Sequence, residues 1–146
     1  GSTDQNFDTG ICFFRKDGTR IANYPKQHSA NCTAKHQATD GNFKPLVRIL
    51  KNLRGRLVET GKLAEGVAPS YFIEGLLYNV PNEHFTGNFG QMFVASLNWL
   101  HQQTGRAKWV CANEQYHLLR DDPVCWSDDS CRKFIDAVIA AWNSWE

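Results

Sequence analysis

The stretch from Phe43 to Val58, FKPLVRILKNLRGRLV, decides the fold of this chain. Its apolar residues recur at intervals of three and four, which is the spacing of a helix with one buried face. Asn42 or Asp40 can cap this helix, and Pro45 falls in its first turn, where a missing backbone N–H costs little. The predicted apolar face consists of Phe43, Leu46, Val47, Ile49, Leu50, Leu53 and Leu57.

A second helix is predicted downstream, in the stretch SYFIEGLLYNV over residues 70–80. Gly61 ends the first helix in this interpretation, because glycine readily takes the left-handed conformation that follows many helices. Ser70 is the predicted N-cap of the second helix, and Pro81 stops it. The two helices are therefore expected to be neighbours joined by a short connection.

Two further helices complete the predicted bundle. One covers residues 90–103, and the last one is capped by Ser127 or Asp128 and runs to the C-terminus. Residues 106–126 mix aromatic residues with turn signals and carry no pattern that assigns them to a helix or a strand.

Upstream of the first helix, the sequence predicts a β-hairpin. Its strands cover residues 11–15 and 20–24, and the Asp17-Gly18 pair supplies the turn. Residues 25–42 show little periodicity and are expected to form a loop with at most a short helical turn. The predicted fold class is therefore mainly α: a bundle of about four helices over residues 43–146 with an N-terminal β-hairpin over residues 3–26.

Composition narrows the class of protein. The chain has 146 residues and a formal charge of +1, so it fits one globular domain, counted from residue 3, and carries no global signal for nucleic-acid binding. No stretch approaches the roughly 18 apolar residues that a membrane helix needs, and no signal peptide is visible. These features predict a cytoplasmic protein whose five cysteines are reduced.

Zinc binding is the alternative for part of the cysteine and histidine content. His28, Cys32 and His36 follow one another at intervals of four residues. This spacing is not a standard zinc pattern, and a structural zinc site takes four ligands. The prediction is that the chain holds no metal, with zinc at these three residues left open.

A basic stripe on the first helix is the strongest indication of a binding site. Lys44, Arg48 and Lys51 share one side of this helix, while Ser70 and Tyr71 open the next one. Cations beside a helix N-terminus favour an anion such as phosphate, and a tyrosine ring can stack on a base. The alternatives are ordinary ones: a solvated helix face, an N-cap serine and a boundary tyrosine. Glu74, one turn after Ser70, either orients a cation or faces solvent.

The stretches NYPKQH, FKPLVRILKNLR and APSYFIEGLLYNVP together resemble a known family. They are similar to the C-terminal helical region of bacterial CD-NTases, nucleotidyltransferases related to cyclic GMP-AMP synthase and oligoadenylate synthetase. The resemblance covers residues 10–81 and is most specific at VRILK and SYFIE.

The resemblance implies roles for particular residues. Lys51 and Ser70 would hold a nucleoside triphosphate, Tyr71 would stack on its base, and Arg48 and Lys44 would support them as cations. The family uses ATP or GTP with magnesium to make cyclic or linear oligonucleotide messengers in antiphage defence. These ligands and this activity are expectations for the complete enzyme.

The catalytic half of that family has no counterpart in this sequence. Family catalysis uses an Asp-x-Asp arrangement to hold two metal ions, whereas the paired aspartates here, Asp121-Asp122 and Asp128-Asp129, are adjacent residues in turn or cap settings. The chain alone is therefore predicted to be inactive, without a catalytic palm and with no catalytic residue. A standalone nucleotide-binding module, or a docking domain for a partner protein, is the alternative interpretation.

Overall fold

The computed structural model describes residues 25–103, 108–112, 114, 118–119 and 126–144. Within these residues the chain forms five α-helices, which confirms the mainly helical prediction and adds one helix to the four that were expected. The predicted hairpin strands over residues 11–15 and 20–24 lie outside the described residues. The helices are α1 (Pro25–Ala38), α2 (Phe43–Glu59), α3 (Ser70–Tyr78), α4 (Phe89–Gln102) and α5 (Asp128–Ser144), with a 3₁₀ turn at Asn82–His84 between α3 and α4.

Helix α2 is the centre of the bundle, because it packs against each of the other four α-helices. Its buried face matches the predicted one apart from Ile49, which is 36% exposed. The last residue of α2 is Glu59, and Gly61, the predicted stop, follows two residues later with a φ of +74°. The Gly61 N–H donates to Val58 and the Lys62 N–H donates to Leu57, which satisfies two of the last carbonyls of the helix.

Helix α1 corrects the prediction of a loop over residues 25–42. The described side chains that it turns toward the other helices are largely polar: Cys32 and Lys35 are buried, and His28 and Asn31 are partly buried. An apolar periodicity test cannot detect such a face. Interactions between these polar groups and the rest of the bundle stabilise the helix instead of a hydrophobic stripe.

The beginning of α2 also differs from the prediction. Asn42 occupies the N-cap position, but its side chain donates to the Phe85 carbonyl and accepts no bond from the helix. Thr39 supplies the cap, since its hydroxyl accepts the Phe43 N–H at 3.0 Å. Asp40, the other expected cap, has a φ of 54° and lies in the turn that closes α1.

The other helix boundaries lie close to the predicted ones. Asn88 caps α4 through a capping box with Gln91. Ser127 caps α5 as predicted, because its hydroxyl accepts the Ser130 N–H at 3.0 Å. None of the described helices is both long enough and apolar enough to span a bilayer.

The expected N-cap role of Ser70 is wrong. Ser70 is the first residue of α3, and Pro69 precedes it at the N-cap position, where no side-chain cap hydrogen bond is present among the described residues. The core behind α3 contains Phe72, whose ring stacks on Trp126 with the two centroids 5.0 Å apart. This packing fixes the end of α3 that carries the residues expected to bind a nucleotide.

Candidate functional site

A cavity of about 350 Å³ lies where α1, α2 and α3 meet. Helix α2 contributes its basic stripe to the wall, and α1 and α3 contribute polar groups. The apolar part of the wall comes from buried α2 side chains and from Cys32. The lining residues are His28, Ser29, Cys32, Phe43, Lys44, Val47, Arg48, Lys51 and Glu74.

Three predicted site residues, Lys44, Arg48 and Lys51, line this cavity together. They share a wall because residues three and four positions apart lie on one side of a helix. Lys44 and Arg48 are exposed, and the Lys44 ammonium lies 3.5 Å from the Thr33 hydroxyl. The cavity wall is therefore strongly cationic and open to a ligand from solvent.

Glu74 is the one acidic residue among the described residues that line the cavity, and it bridges two basic groups. One carboxylate oxygen lies 2.6 Å from the Lys51 ammonium, and the other lies 2.8 Å from His28 Nε2. The side chains of Lys51 and Glu74 are only 29% and 26% exposed, so solvent screens this pair less than a surface pair. Of the two roles foreseen for Glu74, orienting a cation is the one that the geometry supports.

The bridge changes the acid–base properties of its members. Burial would lower the pKa of His28, but hydrogen bonding and charge interactions with Cys32 and Glu74 outweigh burial and raise this pKa to about 9. For a carboxyl group burial acts in the opposite direction and would raise the pKa of Glu74. Hydrogen bonds and charge interactions with His28 and Lys51 outweigh burial and lower that pKa. At neutral pH the carboxylate is ionised between an imidazolium and an ammonium ion.

The second ring nitrogen of His28, Nδ1, does not take part in the bridge to Glu74. This atom is buried, and within the described part of the chain it has no hydrogen bond of ordinary geometry. Cys32, one helical turn after His28 on α1, lies close enough to affect its titration. The short hydrogen bond of the imidazole is the one from Nε2 to Glu74.

Tyr71 lies beside the cavity without lining it. Its ring stacks on the His28 imidazole, with a centroid distance of 5.1 Å and an angle of 21° between the planes. The ring also meets Phe72 edge-on, at 5.5 Å. The structure thus connects Tyr71 to Lys51 through His28 and Glu74.

Ser70 is paired with a residue that sequence reasoning did not single out. Its hydroxyl accepts a hydrogen bond from Arg54 Nη1 at 3.1 Å, and the same nitrogen donates to the Ala68 carbonyl at 2.8 Å. Because Arg54 donates to the serine oxygen, the serine O–H is left to point toward an acceptor. The spacing of Arg54, three residues after Lys51, gave no signal that distinguished it from a solvated arginine.

The zinc alternative gains no support. His28, Cys32 and His36 follow one another at one-turn spacing on α1, but His28 bonds Glu74, and His36 Nδ1 accepts the Lys44 N–H at 3.3 Å. Among the described residues, no group of three or more histidine, cysteine, aspartate or glutamate side chains is arranged to hold a metal ion.

The family of this chain follows from its sequence. Residues 30–143 match the family model of the cGAS/DncV-like nucleotidyltransferase C-terminal helical domain. The chain belongs to this family. The resemblance carried by VRILK and SYFIE is thereby confirmed, and it extends well beyond residue 81.

Relatives of this CD-NTase helical domain are bacterial cyclic nucleotide synthases. The cyclic UMP-AMP synthase of Rhodothermus marinus is 37% identical over 144 residues, which cover 98% of this chain and 49% of that protein. The cyclic nucleotide synthase CdnE01 of Staphylococcus haemolyticus is 37% identical over 145 residues, covering 97% and 48% respectively. The chain therefore spans about half the length of these curated relatives.

Solved structures agree with the CD-NTase helical fold. The Rhodothermus marinus CdnE c-UMP-AMP synthase with Apcpp and Upnpp has a TM-score of 0.83 and 39% identity, over 88% of this chain and 44% of that one. The Elizabethkingia meningoseptica CdnE cyclic dinucleotide synthase with GTP and Apcpp has a TM-score of 0.75 and 29% identity, over 91% and 48%.

Proposed function

We propose that this chain is the part of a CD-NTase that contacts the nucleoside triphosphate, in an enzyme that makes cyclic or linear oligonucleotide second messengers for antiphage defence in the cytoplasm. The observation that carries the proposal is the cavity wall on which Lys44, Arg48 and Lys51 converge. Its ligand would be ATP or GTP, which binds as a polyanion.

Lys51 is the central phosphate ligand in this proposal. An ammonium group has three donors, and the contact with Glu74 uses one of them. The remaining two can donate to phosphate oxygens at the mouth of the cavity. Arg48 adds a guanidinium group, whose planar fork suits two oxygens of one phosphate.

Ser70 and Tyr71 would contact the rest of the nucleotide. The Ser70 hydroxyl, held by Arg54, can donate to a phosphate oxygen near the beginning of α3, where a helix favours negative charge. Tyr71, whose ring lies beside the cavity against His28, would supply the aromatic ring that stacks on a base. Such a stack contributes about 1–3 kcal/mol in nucleic-acid systems.

Magnesium would accompany the triphosphate in the complete enzyme, but we assign no magnesium ligand to this chain. Among the described residues that line the cavity, Glu74 is the only carboxylate, and it is already paired with Lys51 and His28. Catalysis is assigned to no residue of this chain either, so the described residues would bind and orient a substrate.

Titration of ATP and GTP, with magnesium, into the chain tests the proposal by NMR. We expect amide shifts at Lys51, Ser70 and Tyr71, lost in Lys51→Ala and retained in the matched control Lys62→Ala, whose lysine is exposed. In the complete enzyme, Lys51→Ala or Ser70→Ala should weaken triphosphate use while leaving folding nearly unchanged. Wild-type activity in both variants would refute the site.

A further inference from the structure

Glu74 ties three helices together at the cavity. From α3 it accepts one hydrogen bond from Lys51 on α2, at 2.6 Å, and another from His28 on α1, at 2.8 Å. Each bond uses a different carboxylate oxygen. A single side chain therefore fixes the positions of two basic groups that are 23 residues apart in the sequence.

The same connection reaches the ring proposed to stack on a base. His28 contacts Glu74 through Nε2 and stacks on Tyr71 through its face. Tyr71 lies three residues before Glu74 on α3, so the two side chains share one side of that helix. Contacts therefore link Lys51, Glu74, His28 and Tyr71 in this order.

We propose that Glu74 is a positioning residue of the nucleotide site: it holds the Lys51 ammonium toward the phosphates and holds His28 against the Tyr71 ring. This inference rests on the proposed function, because it assigns a role within the same site. Glu74 itself does not touch the phosphates, since two anions would repel each other.

The benefit of such a bridge is preorganisation. A free lysine side chain loses rotamer freedom when it binds a ligand, and Glu74 removes most of that freedom before the ligand arrives. The negative charge of Glu74 does not cancel the attraction for phosphate, because His28, with a pKa of about 9, is protonated at neutral pH. Lys51, Lys44 and Arg48 then remain as the net positive charge of the cavity.

The substitution Glu74→Gln distinguishes a positioning role of Glu74 from the effect of its negative charge on phosphate binding. A carboxylate accepts from both cations, whereas a glutamine of the same shape has only one acceptor atom and must leave one cation without its partner. Removal of a negative charge near a bound polyanion would by itself strengthen binding. Loss of positioning would weaken binding instead, so the sign of the change distinguishes the two roles.

The experiment is calorimetric titration of ATP and of inorganic tripolyphosphate into the wild-type chain and its variants. We expect Glu74→Gln to weaken binding of both ligands by roughly tenfold, the effect of losing about one charge-assisted hydrogen bond. Glu65→Gln, which removes an exposed carboxylate, is the charge-matched control and should bind like wild type. Glu74→Gln binding as tightly as wild type, or more tightly, would overturn the inference.

A second measurement reports on the bridge itself. The His28 imidazole nitrogens, observed by NMR, should titrate at lower pH in Glu74→Gln than in wild type, because burial persists while the carboxylate is gone. The Glu65→Gln control keeps the Glu74 carboxylate beside His28 and should titrate like wild type. An unchanged His28 titration in a folded Glu74→Gln variant would also overturn the inference.

Glu74→Asp decides the matter if Glu74→Gln does not fold. Aspartate keeps the charge but is one methylene shorter, so it cannot reach both cations, and it should weaken tripolyphosphate binding; wild-type affinity would overturn the inference. If wild type binds neither ligand, the proposed function is wrong and the inference falls with it. If wild type binds, Lys51→Ala does not and Glu74→Gln does, the inference alone is wrong.

Discussion

The ammonium of Lys35 donates a hydrogen bond of 2.6 Å to the main-chain carbonyl of Val80, inside the helical bundle. It also donates to Asn82 Oδ1 at 2.7 Å and lies 5.0 Å from the centroid of the Phe85 ring. Val80 follows the last turn of α3, where carbonyls lack helical partners and the helix dipole favours a cation. Lys35 therefore anchors α1 to the C-terminal end of α3.

Lys35→Met should destabilise the chain by about 2 kcal/mol, because it leaves a buried carbonyl without its donor. The gain from no longer burying a charge offsets part of this loss; burial lowers the pKa of Lys35 to about 8. Urea denaturation followed by circular dichroism measures the change. Lys26→Met makes the same substitution at an exposed position of α1 and should leave the midpoint nearly unchanged. Equal midpoints for the two variants would show that Lys35 is not an anchor.

The Arg54–Ser70 contact should appear as an energetic coupling between α2 and the beginning of α3. We expect Arg54→Ala to cost about 1–2 kcal/mol, since Arg54 also bonds the Ala68 carbonyl, and Ser70→Ala to cost less. A double-mutant cycle should give an interaction energy of about 0.5–1.5 kcal/mol. Strictly additive effects would contradict the contact.

The stability that His28 contributes should depend on pH. Its pKa rises from 6.5 to about 9 in the folded chain, so the folded state binds the proton more tightly than the unfolded state does. The contribution is therefore complete below about pH 6.5 and is lost as pH rises through 9. Its upper limit is on the order of 3 kcal/mol. The unfolding free energies of wild type and His28→Gln should differ most near pH 6.5 and approach each other as pH rises to 9. A difference that stays constant between pH 6.5 and 9 would refute the protonated bridge.

Truncation of core side chains should be costly on α2 and α3. Leu50 and Phe72 are both fully buried, so Leu50→Ala should cost about 2–5 kcal/mol and Phe72→Ala about 3–5 kcal/mol. Ile49→Ala, next to Leu50 and 36% exposed, should cost clearly less. Thermal or chemical denaturation ranks the three variants, and an Ile49→Ala effect as large as that of Leu50→Ala would contradict the assignment of the buried face.

Helix α2 shows how far the sequence could be taken. Its apolar residues recur at the helical period, so its first residue, its buried face and its end near Gly61 could all be predicted. Helix α1 could not be predicted in this way, because Lys35 and Cys32 are buried on it without a continuous apolar stripe. Its stability depends on acceptors such as the Val80 carbonyl, 45 residues away in the sequence.

The candidate site likewise has features that the sequence could predict and contacts that it could not. Spacing alone placed Lys44, Arg48 and Lys51 on one side of a helix, and the motifs around Lys51 and Tyr71 identified the family. The spacing of residues within one helix could not predict which side chains of different helices would contact each other. Nothing local indicates that Arg54 bonds Ser70, or that His28 lies against Tyr71.

The sequence by itself therefore determined the helical class, the core of α2 and α3, the basic stripe and the family, because each of these depends on residue types at short, regular intervals. Only the tertiary structure decided that Glu74 joins Lys51 to His28 and that the buried Lys35 bonds Val80 beyond the C-terminal end of α3. These contacts form between helices distant in the chain, and their geometry depends on how the helices pack.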